Sequence, residues 1–294
     1  MKQALRFRKW IYAALVAHKY VDNWLLLLLL ALLNRKGVFY SKVEGCIRIE
    51  ARKLLKFFVR HHSYWEEHGD AFPAVKFSSS GFIEIPYFGF SLHLPVDFPL
   101  FERGSIPPPA ALKREYDVEV KDCVVLDVGA YIGDTVLYWL SKGAKKVIAI
   151  EPVPKHYKVL TVNSKDKPVV AINTAVGVRI PALPEYVGLS SYGIIRLKDF
   201  NDAQWLNVPV TQLSMLVEKY KPDVVKIDCE GCEHFCVKDF LELPKMGVKT
   251  LIIEIHNAWN KTKETLLHSL QEVLGEGKIT IMSKRVITAI WNLS

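Results

Sequence analysis

The sequence of 294 residues contains few cysteines and no apolar segment of membrane-spanning length. Its five cysteines give no disulfide framework for a chain of this size, which fits a reducing, cytoplasmic compartment. The longest apolar run, residues 24–33, has about half of the roughly 20 residues that a spanning helix needs. Extending this run back towards Trp10 brings in Lys19 and Asp22, which oppose burial in a bilayer. A simple membrane span is therefore disfavoured.

Acidic residues are scarce in the first 60 positions, which hold three of them against 13 lysines and arginines. This segment carries an excess of +10, whereas the whole chain has a net charge of +8. Two helices are predicted here, at residues 4–19 and 21–33.

Two interpretations of these helices remain open. In one, they pack on the rest of the protein or on a partner chain. In the other, residues 1–36 make a peripheral membrane contact, with Trp24 and the leucines at headgroup level. The basic side chains that would then face anionic lipid are Arg6, Arg8, Lys9, Arg35 and Lys36.

Residues 38–109 alternate apolar and polar positions in short runs broken by glycine and proline. This pattern predicts small antiparallel strands around a helix at residues 51–61. Three prolines at positions 107–109 mark a boundary, after which strands and helices alternate as in an α/β sheet. We therefore predict an N-terminal helical and β extension at residues 1–109 and a main domain at residues 110–294.

The main domain opens with a β-turn-α-turn-β unit at residues 124–152. Gly129 and Gly133 lie in the turn, where they let a ligand approach the backbone and the following helix. Glu151 ends the second strand, roughly twenty residues later, where a carboxylate accepts hydrogen bonds from ribose hydroxyls. The spacing therefore predicts a ligand that carries a ribose.

The glycine spacing argues against a dinucleotide. A pyrophosphate site needs three glycines in the pattern G-x-G-x-x-G, whereas here Gly129 and Gly133 are four residues apart and Tyr131 stands between them. Asp134 is expected to be the N-cap of the following helix.

Later segments are predicted from their periodicity. The expected helices lie at residues 154–163, 213–220, 233–241 and 261–274. The expected strands lie at residues 169–174, 223–228 and 250–256, and a hairpin at 278–282 and 285–291 closes the chain. Residues 175–202 are expected to form a strand-and-loop region near the mouth of the site.

Four segments together resemble the FkbM family of S-adenosylmethionine-dependent methyltransferases. They are DVGAYIGDT from Asp127, AIEP from Ala149, KIDCEGCE from Lys226 and IIEIH from Ile252. The resemblance covers roughly residues 110–294. It implies an α/β fold with a doubly wound, Rossmann-like sheet of seven strands, the class I methyltransferase fold, whose last two strands form a hairpin with one antiparallel member.

The resemblance also implies which residues form the site. S-adenosyl-L-methionine would be bound by Asp127, Gly129, Ala130, Tyr131, Gly133, Glu151 and Pro152. The expected catalytic residues are Asp228, Glu230 and His256. They lie at the carboxyl ends of two strands, where ligands bind in an open parallel sheet. The general base is left open among these three residues and Glu254, whose carboxylate in an apolar strand should have a partner or a shifted pKa.

We therefore predict a methyltransferase that O-methylates a hydroxyl on a glycan, a lipid-linked sugar or a small metabolite. The alternative is a non-catalytic module of the same fold that docks on a membrane or polyanion through its basic N-terminus. Nucleic acid is disfavoured, since no motif that combines aromatic and basic residues accompanies the charge. No metal site is predicted: Cys229, Cys232 and Cys236 have a spacing that invites one, but Cys232 and Cys236 are expected to pack inward as small apolar residues.

Overall fold

Seven strands between Val124 and Asn292 pair into one sheet. The structure, a computed structural model, describes residues 2–98, 106–179, 207–257, 262–283 and 286–293. The described chain divides into two compact units, the first ending at Ala111 and the second beginning at Leu112.

The first unit contains helices and small antiparallel sheets. Its helices are α1 (Lys2–Tyr20), α2 (Trp24–Leu32), α3 (Ala51–Glu67) and the start of α4 (Pro109–Glu115). Strands β1 (Lys36–Tyr40) and β2 (Cys46–Glu50) form a hairpin, and β3 (Lys76–Ser78), β4 (Phe82–Tyr87) and β5 (Phe90–Pro95) form a three-stranded sheet.

Aromatic side chains build the interior of the first unit. Tyr20 stacks on Phe58 with ring centroids 4.9 Å apart, and the Tyr20 hydroxyl hydrogen bonds Nδ1 of His62 at 2.9 Å. Helix α3 runs six residues past the predicted end at residue 61, because Trp65 continues its buried face. Among the described residues, no helix is both long and apolar enough to cross a membrane.

The second unit alternates strands and helices. Its strands are β6 (Val124–Val128), β7 (Lys146–Ile150), β8 (Val169–Ile172), β9 (Ala175–Val176), β10 (Val210–Thr211), β11 (Val224–Ile227), β12 (Thr250–His256), β13 (Lys278–Met282) and β14 (Val286–Asn292). Its further helices are α5 (Asp134–Ser141), α6 (Pro154–Ser164), α7 (Leu213–Tyr220), a 3-10 turn (Cys232–Phe235), α8 (Val237–Glu242) and α9 (Lys263–Leu274).

The large sheet has the strand order β13-β14-β12-β11-β6-β7-β8. The pairings between β12, β11, β6, β7 and β8 are all parallel. Strand β14 is antiparallel to both of its neighbours, β12 and β13. The predicted seven-stranded doubly wound sheet with a terminal hairpin is therefore confirmed. The strand order reverses between β6 and β11, so the crevice of an open sheet lies beside their carboxyl ends.

The central strands form because they are short, apolar and β-branched. Every residue of β11 is buried, including Lys226, and four of the five residues of β6 are buried. Strands buried on both faces read as continuous apolar runs rather than alternating ones, which made them visible in the sequence.

Two local predictions in the second unit are wrong. The helix predicted at residues 233–241 is divided into the 3-10 turn and α8, with Cys236 between them. Asp134 is the first residue of α5 and not its N-cap, a position that Gly133 occupies with φ +95°. The left-handed turn at Gly133 starts the helix one residue earlier than a capping aspartate would. Of the loop predicted at residues 175–202, residues 180–202 lie outside the described residues.

Candidate active site

The glycine turn after β6 lies against the strand end of β11. Gly129 has φ +81°, and the N–H groups of Gly129 and Ala130 both donate to the Ile150 carbonyl at 2.9 Å. A Cβ atom on Gly129 would lie 1.6 Å from the carbonyl oxygen of Asp228. Only glycine fits here, because both the conformation and the available space exclude a side chain. Two of the motifs noted in the sequence therefore meet in space.

Glu151 holds the other side of this turn. Its carboxylate accepts hydrogen bonds from the N–H groups of Tyr131 and Val153, each at 2.9 Å, and lies 3.4 Å from Nδ1 of His156. The side chain is buried at the end of β7, and Pro152 follows it. Each carboxylate oxygen can accept a second hydrogen bond, so these contacts leave acceptor capacity for a ligand.

A fully buried lysine connects β6 and β11. Nζ of Lys226 lies 3.1 Å from Asp127 and 3.4 Å from Asp228, and it donates to the Gly129 carbonyl at 3.2 Å. Burial alone would lower the pKa of Lys226, but the two aspartates outweigh that effect and raise it. Lys226 is therefore a permanent positive charge beneath the strand ends.

Asp127 faces the protein interior. Its carboxylate accepts hydrogen bonds from Thr135 at 2.6 Å and from the Trp139 indole at 3.0 Å, and it is fully buried. These contacts fix α5 against β6. The direct contact with the cofactor that the resemblance implies for Asp127 stays a prediction.

Asp228 and Glu254 lie near the carboxyl ends of the neighbouring strands β11 and β12, with carboxylate oxygens within 4.8 Å of one another. Burial raises the pKa of Glu254 well above its usual range, and the charge of Asp228 adds to this effect. Burial also acts against ionisation of Asp228, but Lys226 and His256 hold its pKa below the ordinary value. In this pair Asp228 is therefore the group that loses its proton more readily, and Glu254 is the group that retains it. The expectation of a partner or a shifted pKa for Glu254 is confirmed.

His256 ends β12 among three carboxylates. Its Nδ1 lies 3.2 Å from Glu233, and its Nε2 lies 3.4 Å from Glu230 and 3.8 Å from Glu254. Burial works to lower the pKa of His256, but Glu230 and Glu233 raise it well above its ordinary value. An imidazole in this environment is protonated at neutral pH.

The loop that carries Glu230 has an unusual backbone. Glu230 has φ +56° and Gly231 has φ +121°. A glutamate in the left-handed region costs free energy, and such positions persist where the surroundings hold them in place. The fully buried Glu233 provides this hold, since it accepts hydrogen bonds from the N–H groups of Gly231 at 2.8 Å and His256 at 2.7 Å.

Four residues that the sequence did not single out complete the cluster. Lys226 and Glu233 belong to the KIDCEGCE segment, and a lysine within an apolar strand was a usable signal for the first of them. Tyr116 donates its hydroxyl to Glu254 at 3.2 Å, and Glu115 accepts from the Thr288 hydroxyl at 2.7 Å. Nothing near Glu115 or Tyr116 in the sequence indicates these contacts, because the partners are more than 130 residues apart in the chain.

One pair of cysteines is bonded, which the sequence did not predict. Cys229 and Cys232 form a disulfide with their Cα atoms 5.4 Å apart. The strand end and the 3-10 turn bring the two sulfurs together, a proximity that spacing alone does not determine. This bond removes the cysteine argument for a reducing compartment. Cys232 and Cys236 are both buried, as predicted, and Cys236 keeps a free thiol.

Donor atoms of Asp228, Glu254 and His256 lie within 4.8 Å of one another. Such a group can share protons or hold a metal ion. Lys226 and the imidazolium of His256 already supply positive charge beside it. All three residues keep part of their surface exposed at the carboxyl edge of the sheet, where a substrate can reach them.

Comparison with known proteins identifies one matching family model. The methyltransferase FkbM domain matches residues 127–278. No curated protein sequence matches the chain.

Solved structures with a similar arrangement include three of low sequence identity. Aeropyrum pernix fibrillarin, in complex with natively bound S-adenosyl-L-methionine, is 11% identical with a TM-score of 0.37, and the match covers 61% of this chain and 73% of fibrillarin. A protein of the NADB-Rossmann superfamily from Streptococcus agalactiae is 17% identical with a TM-score of 0.36, over 61% of this chain and 65% of the other.

The third is the methyltransferase FkbM from Methylobacillus flagellatus KT. It is 16% identical with a TM-score of 0.37, and the match covers 57% of this chain. This chain spans 43% of the length of that protein.

Proposed function

We propose that this chain, which belongs to the FkbM methyltransferase family, transfers a methyl group from S-adenosylmethionine to a hydroxyl of its acceptor. The family domain spans just over half of the 294 residues, so the protein is a methyltransferase. Its acceptor is a glycan, a lipid-linked sugar or a small metabolite.

The residues around the glycine turn fit the proposed cofactor. Gly129 leaves no space for a side chain beside Asp228, so a ligand that enters the turn meets bare backbone. Glu151 offers carboxylate lone pairs for the two ribose hydroxyls, and Tyr131 stands at the position of the second glycine of a pyrophosphate-binding turn. When bound, S-adenosylmethionine supplies a methyl group on a positively charged sulfonium. The excess of buried carboxylates favours such a cation.

In this proposal Asp228 is the general base that removes the proton of the acceptor hydroxyl. Methyl transfer to oxygen is an in-line displacement that needs the acceptor oriented and its proton removed. Lys226 and His256 hold the pKa of Asp228 below its ordinary value, whereas the pKa values of Glu254 and His256 are raised well above theirs. Of these three groups, Asp228 therefore meets the requirement for a base at neutral pH.

Glu230 and His256 position the acceptor in this proposal. The left-handed backbone at Glu230 directs its carboxylate towards Nε2 of His256, and Glu233 fixes the imidazole from the other side. Both side chains remain partly exposed, so each can contact a sugar hydroxyl. The observation that carries the proposal is the meeting of the Gly129 turn with the strand end at Asp228.

Substitution of the two carboxylates tests the assignment. Asp228→Asn is expected to lower turnover by about 10²–10⁴, the range for loss of a general base, while the affinity for S-adenosylmethionine measured by calorimetry stays close to that of the wild type. Glu230→Gln is expected to raise the KM for the acceptor. Glu242→Gln, which removes an exposed carboxylate paired with Lys245, is the matched control.

The assay measures transfer of a labelled methyl group to glycan, lipid and RNA fractions, which also determines the acceptor class. Turnover that both site variants leave unchanged would show that neither carboxylate acts in the reaction. If the wild type fails to bind S-adenosylmethionine at all, the non-catalytic module is the better description.

A further inference from the structure

Helix α2 exposes a row of leucines to solvent. Leu25, Leu29, Leu32 and Leu33 each keep between 53% and 65% of their surface exposed. We call these four residues the leucine face. Their spacing of four, three and one residues places them on one side of the helix, while Leu27 and Ala31 on the other side are buried. Packing of α2 on the rest of the protein, one of the two interpretations of the sequence, explains the buried Leu27 and Ala31 but not the exposed leucines.

A second apolar stripe lies on the neighbouring helix. Helix α1 contacts α2, and Ile11 and Leu15, four residues apart, are 46% and 61% exposed. Single leucines and isoleucines are common on protein surfaces and need no explanation. A group of six exposed apolar side chains on two neighbouring helices marks an interaction surface.

Positive charge accompanies the leucine face. Arg35 and Lys36 follow α2 directly, and Lys9 lies on α1; all three are exposed. Within the part of the chain that the structure describes, neither Arg35 nor Lys36 forms an ion pair with a carboxylate. The first 60 residues carry an excess of ten positive charges. A second copy of this surface would bring like charges together, whereas an anionic surface would neutralise them.

We infer that the leucine face docks on the surface of a lipid bilayer that contains anionic lipid. A helix of nine residues is too short to cross a bilayer, but it can lie in the interface with its apolar side among the acyl chains. Arg35 and Lys36 then reach the lipid phosphates from the end of the helix. Trp24, half-buried against His18 at the start of α2, lies at the level of the headgroups.

Flotation of the full-length protein with vesicles tests this inference. The probes are vesicles of phosphatidylcholine alone and of phosphatidylcholine with 30 mol% phosphatidylglycerol, about one anionic lipid in three, a composition that gives a negative surface potential. The wild type is expected to float with the anionic vesicles at low salt and to be released as the salt concentration rises.

Two sets of variants separate the apolar and the electrostatic contributions. Leu25→Ser, Leu29→Ser and Leu32→Ser together are expected to abolish flotation, and because these side chains are exposed the fold should be retained. Arg35→Glu with Lys36→Glu is expected to weaken binding by at least about 25-fold, since each basic residue near the surface contributes about fivefold. Val273→Ser with Met282→Ser, at exposed apolar positions of the second unit, is the control and should float like the wild type.

Three outcomes would overturn the inference. They are absence of wild-type flotation with anionic vesicles at low salt, equal flotation of wild type and both variant sets, and a stable dimer by light scattering that the triple serine variant dissociates. If the serine variant loses its circular dichroism signal, the charge-reversal variant still decides the question. None of these results depends on methyl transfer, so failure here leaves the proposed function standing.

Discussion

The substitution Gly129→Ala tests the central geometric claim, that the glycine turn and the Asp228 strand end form one site. Gly129 has a left-handed φ of +81°, and an added Cβ would lie 1.6 Å from the Asp228 carbonyl oxygen. Ordinary approaches of carbon to a carbonyl oxygen are about 3.3–3.6 Å, so the two chain segments must move apart. That movement disturbs the hydrogen bond from the Asp228 N–H to Val128 as well as the bond from Gly129 to Ile150.

Gly247 provides a matched control. It has φ +86° in an exposed turn of the same unit, and a Cβ there would have no heavy atom within 4 Å. An alanine in the left-handed region costs about 1–2 kcal/mol at either position. Only position 129 adds a collision, for which overpacking costs of about 1–3 kcal/mol are typical. We therefore expect Gly129→Ala to lower the free energy of unfolding by about 2–5 kcal/mol and Gly247→Ala by about 1–2 kcal/mol.

Urea unfolding followed by tryptophan fluorescence measures both values, since Trp139 and Trp291 are buried in the second unit. Calorimetry with S-adenosylmethionine measures the consequence for the site, and only Gly129→Ala is expected to weaken binding. Equal losses of stability in the two variants, with equal affinity for the cofactor, would refute the close approach of the two motifs.

Two further predictions concern charge. Burial raises the pKa of Asp134 from 3.8 to about 7, so the folded protein binds this proton more tightly than the unfolded chain and stability falls as the pH rises from about 4 to about 7. This shift of the pKa corresponds to about 4 kcal/mol, so Asp134→Asn is expected to stabilise the protein at pH 8 but not at pH 4. Urea unfolding measures the effect, with the exposed Asp117→Asn as the control. Stabilisation that does not depend on pH would contradict a buried carboxyl. Treatment with EDTA is expected to leave methyl transfer unchanged, because Lys226 and protonated His256 already place two positive charges beside the carboxylates at the strand ends. Activity lost to EDTA and restored by Mg²⁺ would instead show that Asp228, Glu254 and His256 hold a cation.

Local sequence determined the elements that form the sheet. Strand β12 and helix α7 have the bounds predicted from their periodicity, because apolar runs of these lengths have few alternatives. The same patterns placed Asp228, Glu254 and His256 at strand ends, and parallel strands bring their carboxyl ends to one edge. The helix at residues 233–241 was mispredicted because its apolar spacing gives no sign of the interruption at Cys236.

Side-chain environments required the tertiary structure. The sequence left four candidates for the base, and the surroundings distinguish three of them. Lys226 and His256 hold the pKa of Asp228 below its ordinary value, burial raises that of Glu254, and Glu230 and Glu233 raise that of His256. These effects depend on distances of a few ångströms between groups that are far apart in the chain, and on their removal from water.

The sequence by itself therefore determined the family, the succession of strands and helices along the chain, and the residues at the carboxyl ends of the strands, because these follow from local periodicity and from motifs read along the chain. Only the tertiary structure decided that Cys229 bonds to Cys232, that Tyr116 reaches Glu254 and that the leucines of α2 face outward. Each of these facts depends on which parts of the chain come into contact in the folded protein. Contacts between distant segments, and the solvent that those contacts exclude, are properties of the folded chain alone.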